Sequence, residues 1–402
     1  MDQPRNPRAA RLALIGTTLL IGLATLRPAP AEVASVARTA WWQVGAGEIG
    51  LADLIQNLLL FLPLGAAARA AGWTARRTVL VACLGSIAIE LTQAIALPGR
   101  DAALGDVLAN TLGGAMGWWL AGRPWIWLRH PSGTPARRAA VALVTAWLMI
   151  GLAGSWLLQT VPVKPPVAVL GGAGLDRVRA WPAPVASTVP RATARGERWL
   201  VATEWRDGAI PDETPGLAQL RDGTGRIVAG TSMGEDGIRA AVPTRAAAWR
   251  LRSPMLEVPF AGRPTDGDPI RVGIWWHARG RQLTVSTPAG EAALAVALGP
   301  QHAWLLLHPF AQTLRDDRAT EWWTVAWLAT WAALLGWLTA SQPRALAWLA
   351  TAALVSGGSA ALAGVLLTPM EWSGVLAGWL VAWWAGRRRG AISVETTPRR
   401  DP

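Results

Sequence analysis

The sequence is poor in the residues on which many enzymes depend. Its single cysteine, Cys83, excludes an intramolecular disulfide, and its position within an apolar segment favours a buried, inert thiol. The only lysine, Lys164, gives little support to a catalytic lysine. The four histidines have no spacing typical of a zinc site, and no nucleophile with a nearby base is evident. We therefore expect no metal and no cofactor, and we favour a binding role over catalysis.

The sequence is rich in apolar residues and in arginine. Of its 402 residues, 51% are hydrophobic, and the mean hydropathy is +0.26, which is typical of a membrane protein. The formal net charge of +12 comes almost entirely from arginines, many of which flank apolar segments. Membrane topology explains that pattern better than nucleic-acid binding, for which no motif is present. We expect a lipid bilayer, and no nucleic acid, as a partner.

Eight apolar segments are predicted to span the membrane, and most of them are close to the ~20 residues that a span requires. They cover residues 12–26, 51–71, 78–97, 103–121, 139–158, 322–340, 346–367 and 372–385. The first is compatible with either a cleaved signal peptide or a retained helix. Arginines are concentrated in alternate connectors, so the positive-inside rule predicts that both termini are cytoplasmic.

Between residues 160 and 320 the long apolar runs give way to short alternating stretches. Strands are predicted at residues 199–205, 217–220, 226–231, 249–256, 270–277 and 282–287. Asp222-Gly223-Thr224-Gly225 and Arg279-Gly280 are typical of hairpin turns. The fold class predicted here is an extracytoplasmic all-β sandwich inserted between spans five and six of an α-helical multi-pass membrane protein.

Polar side chains interrupt three of the first four apolar segments. Three pairs are spaced so that both members share one helix face. These are Asp53 with Asn57, Glu90 with Gln93, and Asp106 with Asn110, and Arg100 lies in the turn before Asp106. The predicted topology places all seven residues in the outer half of the bundle. Polar groups at such depth usually face a cavity or the bundle interior, so these seven are the candidate ligand-binding residues, and a purely structural network is the alternative.

The same residues carry a resemblance to a known family. The pattern Asp-x3-Asn-x5-Pro-x-Gly, followed by Glu-x2-Gln-x6-Arg-x5-Asp-x3-Asn-x2-Gly-x3-Gly, resembles the VanZ family of bacterial membrane proteins. It falls on Asp53, Asn57, Pro63, Gly65, Glu90, Gln93, Arg100, Asp106, Asn110, Gly113 and Gly117. The resemblance implies a retained first helix, a bacterial plasma-membrane location and an association with reduced teicoplanin susceptibility. The β region more diffusely resembles laminin-G or concanavalin-like jelly rolls.

Together these observations predict five regions. They are a VanZ-like four-helix domain at residues 1–122, a basic connector with the fifth span at 123–159, the β-sandwich at 160–320, three C-terminal spans at 321–386 and a basic cytoplasmic tail at 387–402. The expected function is binding of a polar extracytoplasmic ligand, either a lipid-linked wall precursor or a lipoglycopeptide such as teicoplanin. The alternatives are a membrane enzyme acting on an envelope lipid or glycan through Glu90 and Asp106, and a glycan-recognition or sensor module in the sandwich.

Overall fold

The structure is a computed structural model of the chain. It describes residues 7–26, 50–97, 103–122, 133–162, 168–171, 185–193, 198–205, 216–233, 237–262, 270–308, 313–315, 318–342 and 344–395. Arg100, the basic connector at 123–132 and the last residues of the tail lie outside these ranges. The chain divides into two compact units, Met1–Arg129 with Trp249–Leu251, and His130–Ala248 with Arg252–Pro402. We call them the N-terminal unit and the C-terminal unit.

The N-terminal unit contains four long helices, at the positions of the first four apolar segments. They are α1 (Pro7–Thr25), α2 (Gly50–Ala70), α3 (Ala75–Ala96) and α4 (Leu104–Ala121). Helix α3 begins at an N-cap, where the Thr74 hydroxyl accepts a hydrogen bond from the Arg77 amide at 3.3 Å. Helix α2 continues through Pro63 to Ala70 rather than ending there.

Glycines allow α2 and α4 to pack with their backbones in contact. A Cβ atom at Gly113 would overlap the Leu58 carbonyl, and one at Gly117 would overlap the Leu62 carbonyl. From the other side, a Cβ at Gly65 would overlap the Gly114 carbonyl. Small residues spaced in this way are a common means of close helix packing in membranes. The rising residue numbers on both helices mean that α2 and α4 run parallel.

The C-terminal unit also contains four long helices. In chain order its helical elements are α5 (Gly133–Leu157), the short α6 (Arg245–Ala248), a 3₁₀ helix (Pro300–Leu306), α7 (Arg318–Thr339), α8 (Ala345–Leu362) and α9 (Pro369–Glu395). Helix α8 contains a π-helical turn at Leu354–Gly358. Helix α9 begins with a capping box in which Thr368 and Glu371 each accept a hydrogen bond from the other's backbone amide.

Five helices among the described residues are long and apolar enough to cross a membrane. They are α1 (from Arg8), α2, α3, α5 and α8. The polar residues of α4 and the many tryptophans of α7 and α9 reduce the mean hydropathy of those helices. The chain is therefore a membrane protein by its helices, whereas the count of eight spans and the orientation of the termini stay predictions.

The strands of the C-terminal unit form two sheets. The strands are β1 (Ala168–Gly171), β2 (Val185–Thr193), β3 (Arg198–Trp205), β4 (Gly216–Arg221), β5 (Ile227–Met233), β6 (Gly237–Ala241), β7 (Met255–Pro259), β8 (Ile270–Trp276), β9 (Gly280–Thr287), β10 (Gly290–Ala297) and β11 (Thr313–Leu314). One sheet has the order β1-β4-β5-β6-β7-β11 and the other β10-β9-β8-β3-β2. All described pairings are antiparallel except that of β11 with β7.

Most predicted strands are confirmed, and so are both predicted hairpins. The turn between β4 and β5 is held by the Asp222 carboxylate, which accepts hydrogen bonds from the Thr224 hydroxyl, two backbone amides and Arg226. The Thr224 hydroxyl is the main reason that the pKa of Asp222 falls to about 2. The region is β-rich as expected, and its assignment to the jelly-roll type stays a prediction.

The predicted strand at residues 249–256 is wrong over most of its length. The short helix α6 precedes it, Arg250 has a φ of 54°, and the strand β7 begins only at Met255. A positive φ on a residue other than glycine is incompatible with an extended strand. The alternating apolar pattern of this stretch therefore does not mark a strand: Leu251 is buried, whereas Trp249 is exposed.

Candidate functional site

Helices α3 and α4 lie antiparallel, with contacts at three levels. A Cβ at Gly114 would lie 2.9 Å from the Ala82 Cβ. One turn closer to the start of α4, the Asn110 Nδ2 donates to the Ser86 Oγ at 2.8 Å, and at the start of α4 itself the Ala103 amide donates to the Glu90 Oε2 at 2.8 Å. The C-terminal end of α3 therefore lies beside the N-terminal end of α4.

The parallel packing of α2 on α4 places the start of α2 at this same end of the bundle. Six of the seven candidate residues consequently lie within the same few helical turns. They are Asp53, Asn57, Glu90, Gln93, Asp106 and Asn110. The seventh, Arg100, lies outside the described residues.

Glu90 fixes the start of α4. Its side chain is buried, with 6% of the residue exposed, and its carboxylate accepts the hydrogen bond from Ala103, the N-cap residue of α4. The N-cap has no side-chain hydrogen bond of its own, so Glu90 satisfies one of the amide groups that a helix start leaves unpaired. A negative charge at this position also interacts favourably with the helix dipole.

Gln93 links α3 to the first helix of the chain. Its Nε2 donates to the carbonyl oxygen of Thr25, the last residue of α1, at 2.9 Å. Thr25 itself donates its hydroxyl to the Ile21 carbonyl at 2.8 Å. Gln93 is buried and satisfies a carbonyl at a helix end, where no intrahelical partner is available. The contact gives the first helix a structural role in the bundle.

Asn110 is the most deeply buried of the candidates, with 1% of the residue exposed. Its Nδ2 donates to the Ser86 Oγ, but its Oδ1 has no hydrogen-bond partner among the described residues. Because the amide is planar and Ser86 contacts only one side of it, either orientation of the amide leaves one polar atom unsatisfied. An unsatisfied buried polar atom costs about 1–3 kcal/mol, so a group that pairs with it is favoured.

Asp53, Asn57 and Asp106 are partly exposed, unlike the three residues above. Asp53 lies in the first turn of α2 and Asp106 in the first turn of α4, where carboxylates are favoured by the helix dipoles. Asp106 precedes Asn110 by one helical turn, so it lies between the buried amide and the end of the bundle. The described site thus combines accessible carboxylates with a buried, half-satisfied amide.

Two residues of the site were not among the predicted ones. Ser86 lies four residues before Glu90 on α3, so the same spacing rule that selected the three pairs could have identified it. The Thr25 carbonyl is a backbone acceptor 68 residues from Gln93, and no sequence pattern predicts that contact. Among the described residues, no three His, Cys, Asp or Glu side chains form a cluster suited to a metal ion.

Comparison with known proteins gives one match. Residues 11–127 match the family model described as VanZ/LLP1. No curated protein and no solved structure matches the chain. The matched range covers α1 from Arg11 onward and the whole of α2, α3 and α4, and it contains every candidate residue.

Proposed function

Because residues 11–127 form a VanZ-like domain, we propose that this membrane protein binds the polar head of an amphiphilic ligand at the end of the bundle where α2 and α4 begin. In the orientation predicted from the arginine distribution, that end faces the extracytoplasmic side of the bacterial plasma membrane. The two ligands considered are a lipid-linked cell-wall precursor and a lipoglycopeptide such as teicoplanin. Binding of the second would confer glycopeptide tolerance.

The half-satisfied amide of Asn110 is the observation that supports this proposal most. An unpaired polar atom in lipid surroundings is costly, so a ligand group that donates a hydrogen bond to the Asn110 Oδ1 is favoured. Asp106, which is partly exposed and one turn away, gives a donor from the ligand a second acceptor. Hydroxyl, amide and ammonium groups of a wall precursor or glycopeptide are donors of the required kind.

Glu90 and Gln93 support the site in a different way. Their described hydrogen bonds go to the backbone at the start of α4 and the end of α1, so we assign them to positioning of the helices. This assignment also weakens the alternative of a membrane enzyme, since one oxygen of the proposed catalytic carboxylate of Glu90 is used as a helix cap. The ligand contacts are accordingly proposed for Asp53, Asn57, Asp106 and Asn110.

The direct test measures teicoplanin binding to the full-length protein in nanodiscs, together with teicoplanin susceptibility of a permeable host that expresses it. We expect Asp106→Asn and Asn110→Leu to weaken binding about tenfold or more and to abolish protection, since each removes an acceptor from the ligand. Glu291→Gln, at an exposed position on β10, is the matched control for loss of a carboxylate.

A wild-type protein that neither binds teicoplanin nor protects the host would contradict the glycopeptide form of the proposal. The same nanodiscs loaded with a lipid-linked wall precursor then test the other form. Binding of both ligands at wild-type strength by Asp106→Asn and Asn110→Leu would overturn the assignment of the site itself. Amounts of protein in the membrane are matched by immunoblotting, so that a loss of protection reports binding rather than expression.

A further inference from the structure

Two helices with the length and hydropathy of membrane spans end beside the same β-hairpin of the C-terminal unit. Helix α5 ends at Leu157, and shortly after it the Thr160 amide donates to the Ala278 carbonyl at 2.9 Å. Helix α8 ends at Leu362, whose carbonyl accepts a hydrogen bond from Arg279 Nη1 at 3.4 Å. Ala278 and Arg279 form the turn between β8 and β9. This hairpin therefore marks the level at which both helices leave the bilayer.

A buried arginine fixes the hairpin at that level. Arg281, the second residue of β9, donates to the Leu158 carbonyl at 2.8 Å and to the Pro254 carbonyl at 3.1 Å. Its residue exposure is 3%, and burial lowers its pKa to about 10, which still leaves it charged at neutral pH. Breaking these two hydrogen bonds would leave a buried charge without a partner, which is energetically costly. The contact of Arg281 with the Leu158 carbonyl therefore holds the end of α5 against β9.

The surroundings of the hairpin have the composition of a membrane interface. Leu362 and Leu366 are 78% and 82% exposed, which suits contact with lipid chains. Arg279 is beside them, and an arginine at this level extends toward lipid phosphates. Trp322 and Trp323 at the start of α7 are also half exposed, as is typical of interfacial tryptophans.

A groove of about 330 Å³ lies on the outer surface of the sheet at this same hairpin. Its volume is at the lower end of the range of about 300–1,000 Å³ for small-ligand sites. The strand pairing places Trp275 beside Gln282, and Gln282 beside Ala295, in one row across β8, β9 and β10. Gln282 and Ala295 are exposed and Trp275 is partly exposed, whereas Trp276 points into the core with 2% exposure. His277, also exposed, completes the polar lining.

The groove has the chemistry of a saccharide site. The indole of Trp275 is partly exposed on this face of the sheet, and a ring with an apolar face and a polar edge suits the C–H face of a sugar. The amide of Gln282 has both a donor and an acceptor for sugar hydroxyls, and His277, whose Nδ1 accepts the Gly280 amide at 3.3 Å, has its Nε2 as a further donor. The strand β8 and the hairpin are rigid elements, so these groups are positioned before a ligand binds.

We propose that this groove binds the saccharide head group of a membrane glycolipid, with the indole of Trp275 under the sugar ring and Gln282 and His277 on its hydroxyls. The position of the groove at the ends of α5 and α8 favours a lipid-borne sugar, because the lipid chains can remain in the bilayer while the head group reaches the sheet. The proposal concerns only the C-terminal unit, so it is independent of the ligand proposed for the VanZ-like domain.

The test uses the full-length protein in nanodiscs of phosphatidylethanolamine and phosphatidylglycerol, with diglucosyl diacylglycerol as the probe. Native mass spectrometry counts the glycolipid that remains bound on release, and titration gives its affinity. We expect the wild type to retain the glycolipid in preference to phosphatidylglycerol, and Trp275→Ala to weaken retention about tenfold. Trp249→Ala is the matched control, since Trp249 is 58% exposed and is not part of the groove lining.

Equal retention by wild type and Trp275→Ala, or no preference over phosphatidylglycerol, would overturn the proposal. Soluble maltose forms a second arm, and a maltose affinity as high as that for the glycolipid would instead assign the groove to free glycans. Gln282→Ala, at an exposed position that carries no folding risk, is expected to weaken retention by a smaller factor of about three to five. Retention of the glycolipid by Gln282→Ala at wild-type affinity would contradict the assigned hydroxyl contacts.

Discussion

The two sets of long helices differ in how some of their buried polar side chains are hydrogen-bonded. In the N-terminal unit, Glu90, Gln93 and Asn110 each bond to a residue outside their own helix. In the C-terminal unit, the hydroxyls of Thr339 and Ser356 donate to carbonyls of their own helix. A hydrogen bond within one helix leaves neighbouring helices free to move, whereas one between helices fixes their relative position. In the C-terminal unit the described side-chain hydrogen bonds between long helices lie near helix ends, from Gln342 to the Gly133 carbonyl and from Thr368 to Glu321. The buried bond between Asn110 and Ser86 instead fixes a polar geometry within the N-terminal bundle.

The C-terminal helices instead pack through large aromatic side chains and glycine. Trp147 of α5 stacks on Trp331 of α7 with ring centroids 6.0 Å apart, and within α9 Trp379 stacks on Trp383 at 5.5 Å. Helix α7 approaches α9 closely at Gly336, where a Cβ would overlap the Trp379 carbonyl. Such packing needs shape rather than hydrogen bonds. This bundle therefore suits anchoring and support of the β region.

The largest expected effect is on this aromatic packing. Trp379→Ala removes a side chain with 1% exposure and leaves a cavity between α7 and α9. We expect a loss of about 3 kcal/mol in the stability of the C-terminal unit, measured by denaturant titration in detergent. Trp384→Ala, five residues further along the same helix and 52% exposed, is the control and should cost less than about 1 kcal/mol. Equal losses for both variants would mean that the stacked tryptophans do not form the packing core.

The second expected effect is a difference between the two units in how their stability depends on pH. The N-terminal unit has no histidine, whereas burial lowers the pKa of His302 in the C-terminal unit to about 4 and also lowers that of His308. Since unfolded histidine titrates near 6.5, the unfolded C-terminal unit binds protons between pH 6.5 and 4 that the folded one does not. The stability of the C-terminal unit does not depend on protonation of His302 above pH 6.5, and it falls by about 3 kcal/mol as the pH approaches 4.

Hydrogen exchange followed by mass spectrometry can measure the two units separately across this pH range. His302→Asn should flatten the pH dependence, because an asparagine oxygen can replace the Nδ1 that accepts the Gly299 amide at 3.1 Å without titrating. A parallel loss of protection in both units between pH 6.5 and 5 would contradict the assignment to His302.

The same contrast shows which features could be predicted from sequence. The apolar runs located every long helix, and spacing by three or four residues put the members of each polar pair on one face, because both properties are local. The partners of those residues were not predictable, since Glu90 to Ala103 and Gln93 to Thr25 depend on how separate helices pack. The Thr368-x-x-Glu371 capping box, by contrast, was readable from its spacing.

A third prediction compares hydrogen bonds between and within helices. In a double-mutant cycle, Asn110→Ala and Ser86→Ala should couple by about 1 kcal/mol, because each side chain bonds directly to the other. Ser356→Ala should change stability by less than about 0.5 kcal/mol, since its hydroxyl serves a carbonyl of its own helix. Additive effects for Asn110 and Ser86 would remove the structural basis for treating this pair as part of a defined polar site.

The smallest expected effect distinguishes the charge of Glu90 from its hydrogen bond. Glu90→Ala leaves the Ala103 amide without its acceptor, and we expect the N-terminal unit to lose about 1 kcal/mol. Glu90→Gln keeps an oxygen that can accept the Ala103 amide. We therefore expect it to lose no more than half of the stability that Glu90→Ala loses, and this smaller loss comes from the missing interaction of the charge with the helix dipole. Full ligand binding by Glu90→Gln together with weakened binding by Glu90→Ala would identify Glu90 as a positioning residue. Complete loss of binding by Glu90→Gln at unchanged stability would require its charge at the ligand, and would bring Glu90 back among the contact residues.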